Sequence, residues 1–154
     1  MEKRRDEVIV VVLKRVLVHC TIELMANKKK VLVVEDERPL LEAVSMKLEK
    51  AGFTVVTAQS VKQARAHLAA GGVDAIWLDH YLLGKENGLD FVAELKSSGS
   101  PWRAIPIFVV SNTATAEKVQ SYIRFGITKY YVKAEHRLDV IVSDVKSFLE
   151  TPAE

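Results

Sequence analysis

From residue 31 onward the chain alternates short apolar runs with stretches whose apolar residues recur at helical spacing. Residues 31–34 read as a strand. Residues 39–50 read as a helix, with Leu40, Leu41, Val44 and Leu48 on one face. Pro39 suits a first helical turn, where its missing N–H is not needed, and Gly52 suits the exit. Residues 54–58 predict a second strand. Ser60 is placed to cap a second helix in which Val61, Ala64 and Leu68 share a face, and Gly71-Gly72 breaks that helix. Residues 74–79 read as a third strand with almost no polar alternation, which predicts cover on both of its faces. A loop through Gly84 and Gly88 leads to a third helix near residues 89–96. Residues 105–111 predict the fourth strand, 113–125 a helix stopped by Gly126, and 129–133 the fifth strand. The last helix spans 138–149, with Val142, Val145 and Leu149 inward. Five strands alternating with five helices predict an α/β fold: a parallel sheet with helices on both sides, joined by right-handed crossovers.

A length of 154 residues favours one domain with a substantial core. A net charge of +2, spread along the chain in both signs, argues against a nucleic-acid partner. Cys20 is the only cysteine, so no internal disulfide can form. That fits a reducing, cytoplasmic setting, and Cys20 reads as a small apolar residue. The apolar run from Val8 is interrupted by Lys14-Arg15 and falls short of the about twenty residues of a membrane span. It also lacks the uninterrupted centre and cleavage site of a signal peptide. Met25-Ala26-Asn27 looks like a fresh start just before the first strand. Residues 1–27 are therefore expected to be an extension outside the core, 28–150 the domain and 151–154 a tail. Residues 1–24 read as an appendage, with a dimerisation or membrane-surface segment as the alternative.

The polar residues that end the strands carry the chemistry. Glu35-Asp36-Glu37 follows the first strand, Asp79 closes the third, Ser111 the fourth and Lys133 the fifth. Parallel strands bring their carboxyl ends to one edge of a sheet, where open α/β folds bind ligands. Carboxylates, a hydroxyl and an ammonium gathered there suit a divalent cation and a phosphoryl group. An isolated acidic pair is ordinarily a solvated loop, but a carboxylate directly after an apolar strand is costly unless paired or metal-bound, and Asp79 stands in that position.

In order along the chain, Val31-Leu32-Val33-Val34-Glu35-Asp36-Glu37, Trp77-Leu78-Asp79, Asn87-Gly88-Leu89, Val110-Ser111 and Tyr130-Tyr131-Val132-Lys133 resemble the receiver domain of two-component response regulators. The resemblance covers residues 28–150. It implies a flavodoxin-like, doubly wound five-stranded sheet in the order 2-1-3-4-5. It also implies that Asp79 is the phosphoacceptor, taking a phosphoryl group from a phosphohistidine on a sensor histidine kinase or histidine phosphotransfer protein. Mg²⁺ is the implied cofactor, with Asp36 a direct ligand, Glu35 acting through water, Asp79 itself a ligand, and the backbone carbonyl of Tyr81 the third protein group. Lys133 pairs with the phosphoryl oxygens, Ser111 is the switch hydroxyl and Tyr130 the switch aromatic. Ser111 or Thr113 could equally cap the next helix, and Tyr130 could equally be a half-buried strand tyrosine. Tyr131 is expected on the opposite sheet face.

Four positions depart from the family. Ala134 replaces the proline that usually follows the lysine, which predicts a trans Lys133–Ala134 bond. Leu83 stands where a proline is frequent, and Gly88 is displaced by one, lengthening the loop after Asp79. Tyr81 and Asn112 are bulky near the acceptor, and Tyr81 is expected to hinder the attacking water. The chain is not expected to be an enzyme beyond its own phosphorylation and dephosphorylation. It ends soon after the fifth helix, so the signal is expected to leave through contact with another protein rather than a DNA-binding domain. The alternative is a receiver-shaped binding module that is never phosphorylated. Other classes fit less well. An aspartate-nucleophile phosphatase needs two aspartates with one residue between them on the first strand, where this chain has Glu35, Asp36 and Glu37; a flavin binder would be repelled by three acids in its phosphate loop. No Gly-x-Ser-x-Gly elbow is present, and the four histidines show no paired metal spacing.

Overall fold

The computed structural model describes residues 13–18, 28–82, 84 and 86–151. Five strands, β1 (Lys30–Val34), β2 (Thr54–Ala58), β3 (Ala75–Leu78), β4 (Ile107–Ser111) and β5 (Lys129–Val132), form one parallel sheet in the order β2-β1-β3-β4-β5. The helices of the domain are α1 (Arg38–Lys50), α2 (Val61–Ala70), α3 (Gly88–Leu95), α4 (Ala116–Phe125) and α5 (Leu138–Glu150). The doubly wound α/β fold and its 2-1-3-4-5 order are thus as the sequence and the resemblance predict. Residues 13–18 add a short helical stretch with Leu13, Val16, Leu17 and Val18 exposed. Cys20, the rest of the N-terminal extension, Leu83 and residues 152–154 lie outside the described residues.

Strand side chains alternate between faces, and this splits the core in two. One face presents Val31, Val33, Trp77, Phe108, Val110 and Tyr131, covered by Leu41, Val44 and Leu48 of α1 and by Ile141, Val142 and Val145 of α5. The other presents Leu32, Val34, Ile76, Leu78, Ile107 and Val109, covered by α2, α3 and α4 through residues such as Leu68, Phe91 and Tyr122. Burying each large apolar side chain in this way stabilises by about 1.5–3 kcal/mol. β1, β3 and β4 are covered on both faces, which is why they read as uninterrupted apolar runs. Tyr130 and Tyr131 fall on opposite faces, as alternation requires.

Several boundaries differ from the sequence reading, each for a local reason. β3 starts at Ala75; just before it, Asp74 donates its N–H to the Lys30 carbonyl at 2.8 Å while its carboxylate accepts the Lys30 N–H at 2.7 Å. β4 starts at Ile107: Pro106 has no N–H to give the ladder, and the Ile105 N–H turns back to the Trp102 carbonyl. α3 starts at Gly88, capped by Asn87 and Asp90 in a reciprocal box. α4 starts at Ala116, with Thr115 as its cap, rather than at Ser111 or Thr113. Gly126 ends α4 in the left-handed conformation that glycine adopts without a Cβ clash. On α5, Ile141 is buried and Leu149 only partly so.

Candidate functional site

The strand ladder runs one residue past its apolar part. Glu35 N–H donates to the Ala58 carbonyl at 3.0 Å, Asp79 N–H to Val34 at 2.9 Å, and Lys133 N–H to Ser111 at 2.8 Å. These bonds hold the polar end-residues of β1, β3, β4 and β5 in register across the carboxyl edge of the sheet. Glu35, Asp79 and Ser111 are all buried there.

The Lys133 ammonium reaches 98 residues back to donate to Glu35 Oε2 at 2.9 Å, and it lies 3.2 Å from Asp79 Oδ2. Asp79 Oδ1 accepts the His80 N–H at 2.7 Å, and Glu35 Oε1 accepts the Glu37 N–H at 3.3 Å. Glu35, Asp36 and Asp79 each offer an oxygen within 4.8 Å of the others. Five of the residues singled out from sequence, Glu35, Asp36, Asp79, Ser111 and Lys133, therefore share one edge.

Negative charge exceeds positive in this cluster. Burial pushes the Glu35 carboxyl up to about 7, against the Lys133 hydrogen bond that lowers it, and the Asp79 charge pushes the same way as burial. Burial alone would pull the Lys133 ammonium down, but its hydrogen bond to Glu35 and the charge of Asp79 raise it. A proton on Glu35 is one way to relieve the crowding; a hard cation among the same oxygens is another. The donor set is all oxygen and partly open at Asp36, which fits Mg²⁺.

Ser111, on the same edge, and the predicted residues Tyr130 and Tyr81 make their side-chain contacts outside the carboxylate–ammonium group. The Ser111 hydroxyl accepts the Thr113 N–H at 3.4 Å. The Tyr130 hydroxyl donates to the Thr113 carbonyl at 2.5 Å, so it is tied to the loop between β4 and α4. Tyr81 lies two residues past Asp79 and is 51% exposed. Its hydroxyl accepts from the Lys118 ammonium at 3.0 Å and lies 3.4 Å from Thr113 Oγ1. Those contacts lower the phenol's proton affinity, Thr113 first and then Lys118. The Lys133–Ala134 bond is trans.

Sequence reading offered Thr113 only as a helix cap and did not find Lys118, His80 and Tyr122 beside the site. His80 Nδ1 lies 2.7 Å from the buried hydroxyl of Tyr122, and Lys118 sits over the Tyr81 ring. Only His80, a polar residue directly behind a buried acceptor, carried a signal that could have been read. The loop after Asp79 is closed by the Gly88 N–H, which donates to the His80 carbonyl at 2.9 Å. A Cβ on Gly88 would stand 2.6 Å from the Asp79 carbonyl oxygen, so this position needs glycine.

Residues 31–146 match the model of the response regulator receiver domain family. Over 107 residues the chain is 34% identical to the alginate biosynthesis transcriptional regulatory protein AlgB of Pseudomonas putida, covering 70% of this chain and 23% of that protein. The chain thus spans about a quarter of the length of that curated relative. Among solved structures, the chemotaxis protein CheY4 of Vibrio cholerae superposes with a TM-score of 0.69 at 26% identity, covering 79% of this chain and 98% of that one. The phosphorylated cyanobacterial phytochrome response regulator RcpA superposes with a TM-score of 0.72 at 25% identity, covering 82% and 97%. No helix among the described residues is long and apolar enough to cross a membrane.

Proposed function

The chain belongs to the response regulator receiver domain family, and on that premise we propose that it is a phosphorylatable signalling receiver whose acceptor is Asp79. One Asp79 carboxylate oxygen attacks the phosphorus of a phosphohistidine on a sensor kinase or phosphotransfer protein. An O–P bond forms as the N–P bond breaks, and the donor's imidazole leaves. The observation that carries this reading is the Asp79 carboxylate held 3.2 Å from the Lys133 ammonium and within 4.8 Å of Glu35 and Asp36 oxygens. Such transfer depends on positioning and on neutralising the equatorial oxygens. Lys133 supplies one cation. Asp36 and Asp79, with the Tyr81 carbonyl, would hold Mg²⁺ directly and Glu35 through water; when bound, the ion neutralises charge on the group in transit. Ser111 is the hydroxyl that meets a phosphoryl oxygen, and Tyr130 follows its loop.

Beyond its own modification and hydrolysis the protein turns nothing over, and it acts in the cytoplasm by contact with a downstream protein. Tyr81, fixed over the loop by Thr113 and Lys118, shields the acyl phosphate from water. Tyr81→Asn is expected to shorten the phosphoryl half-life by about tenfold, or ~1.4 kcal/mol of barrier. A native half-life equal to or shorter than the variant's counts against the shield.

The main test is intact mass after acetyl phosphate and Mg²⁺. The expected result is one added phosphoryl group, lost with chelator and lost in Asp79→Asn. A native protein that stays unmodified with both reagents present overturns the proposal and supports a receiver-shaped binding module that is not phosphorylated.

A further inference from the structure

A buried polar contact beside Asp79 is left unused by the phosphoryl chemistry. His80 follows the acceptor directly and is 8% exposed, and its Nδ1 meets the hydroxyl of Tyr122, a fully buried residue of α4, at 2.7 Å. The fold makes room for this contact. A Cβ on Gly88 would stand 2.8 Å from the Tyr122 hydroxyl, so the glycine that closes the acceptor loop also clears the space where the two side chains meet. Burial lowers the proton affinity of the imidazole and raises that of the phenol. The contact is a hydrogen bond between two groups that are each enclosed away from water.

The same residues continue in both directions. Toward the site, the His80 N–H donates to Asp79 Oδ1 at 2.7 Å. Away from it, the Tyr122 ring lies 5.5 Å from that of Tyr130, whose hydroxyl holds the Thr113 carbonyl. Acceptor carboxylate, neighbouring imidazole, α4 and the β5 tyrosine form one continuous run of contacts. It enters α4 from β3, separately from the path through Ser111.

We propose that His80 is a positioning residue of the switch: through its bond to Tyr122 it ties the acceptor loop to α4, so that a phosphoryl group on Asp79 repositions α4. The proposal rests on the reading of Asp79 as phosphoacceptor. Esterifying Asp79 changes the charge on the carboxylate that His80 N–H now serves, and the His80 backbone adjusts with it. Neither His80 Nδ1 nor the Tyr122 hydroxyl can drop its buried partner without a desolvation cost, so the adjustment is passed on to the helix.

The test uses the full chain, labelled with nitrogen-15, with Mg²⁺ and beryllium fluoride as a stable mimic of the phosphoryl group. Fluorine NMR reads occupancy at the acceptor, and amide shifts read the response over Ala116–Phe125. Tyr122→Phe is expected to leave occupancy unchanged and to cut the α4 response by about threefold. The pair His80→Leu with Tyr122→Phe removes both polar groups, and is expected to recover the thermal stability lost in Tyr122→Phe but not the α4 response. A full α4 response at full occupancy in either variant overturns the coupling and leaves the contact a matter of packing. A wild-type protein that shows no bound fluoride overturns the acceptor reading itself, and the coupling falls with it.

Discussion

Two clusters in this protein are built from the same ingredients, one cation facing carboxylates, and they differ mainly in burial. At the sheet edge Lys133 faces Glu35 and Asp79, with side-chain exposures of 14%, 1% and 6%. On the surface Arg65 of α2 faces Glu94 of α3 at 2.5 Å and Glu86 of the acceptor loop at 2.6 Å, with exposures of 35%, 38% and 47%. Water screens the second cluster, so its ion pairs steady the loop and add little stability. Low polarity around the first makes each unpaired charge expensive and shifts the Glu35 proton equilibrium toward neutrality. The difference teaches that a carboxylate cluster becomes a candidate for metal and phosphoryl chemistry when the fold removes it from water. Composition alone does not separate the two.

The sharpest way to break this contrast is to remove each cation. Lys133→Met leaves Glu35 and Asp79 buried without their partner, and is expected to cost about 3–5 kcal/mol in urea unfolding at neutral pH, with loss of labelling by acetyl phosphate. A cost below that of an ordinary surface substitution would mean the edge cluster is effectively solvated.

Metal addition comes next in size. Mg²⁺ at about a hundredfold its dissociation constant is expected to add ~2.7 kcal/mol to unfolding stability, and Asp36→Asn is expected to remove most of that gain. A thermal midpoint that does not move with Mg²⁺, in protein freed of metal by chelator, would contradict the oxygen cluster as a cation site.

The two clusters should also titrate in opposite senses. Glu35 holds its proton to about 7 when folded against about 4.5 when unfolded, so in chelator its contribution to stability falls as pH rises through that window. The Arg65 hydrogen bond lowers Glu86, so its contribution is present above about 4.5 and is lost as pH falls through the lowered value. Comparing unfolding curves of wild type and Glu35→Gln across pH 4.5 to 7.5 isolates the first slope, and equal slopes in the two proteins would refute it.

Smallest of all is Arg65→Met. Its effect on unfolding is expected to be minor, and to vanish near 1 M salt, where screening acts over about 3 Å. A large effect that survives such salt would show that the surface cluster anchors the acceptor loop by more than charge.

How legible the protein was in its sequence depends on the range of the interaction in question. Val31 to Val34 and Ala75 to Leu78 announced buried strands because both sheet faces are covered. Ser60 announced a cap and its side chain accepts the Gln63 N–H. The start of α4 is not legible because Thr113, which looks like a cap, is held by Tyr130 and Lys118 instead, and neither contact has a local signature. Site residues were legible as types at strand ends. Lys118 on its exposed helix face looked like any surface lysine, and Tyr122 like any core aromatic.

By itself, then, the sequence determined which segments are strands and helices, and that polar residues stand where strands end, because apolar periodicity, caps and breakers act between near neighbours along the chain. Tertiary structure decided that Lys133 meets a glutamate 98 residues away, that Glu35 keeps its proton toward neutral pH, and that His80 finds Tyr122. Those outcomes depend on distances through space and on the exclusion of water, and both exist only once the sheet has set its strand order.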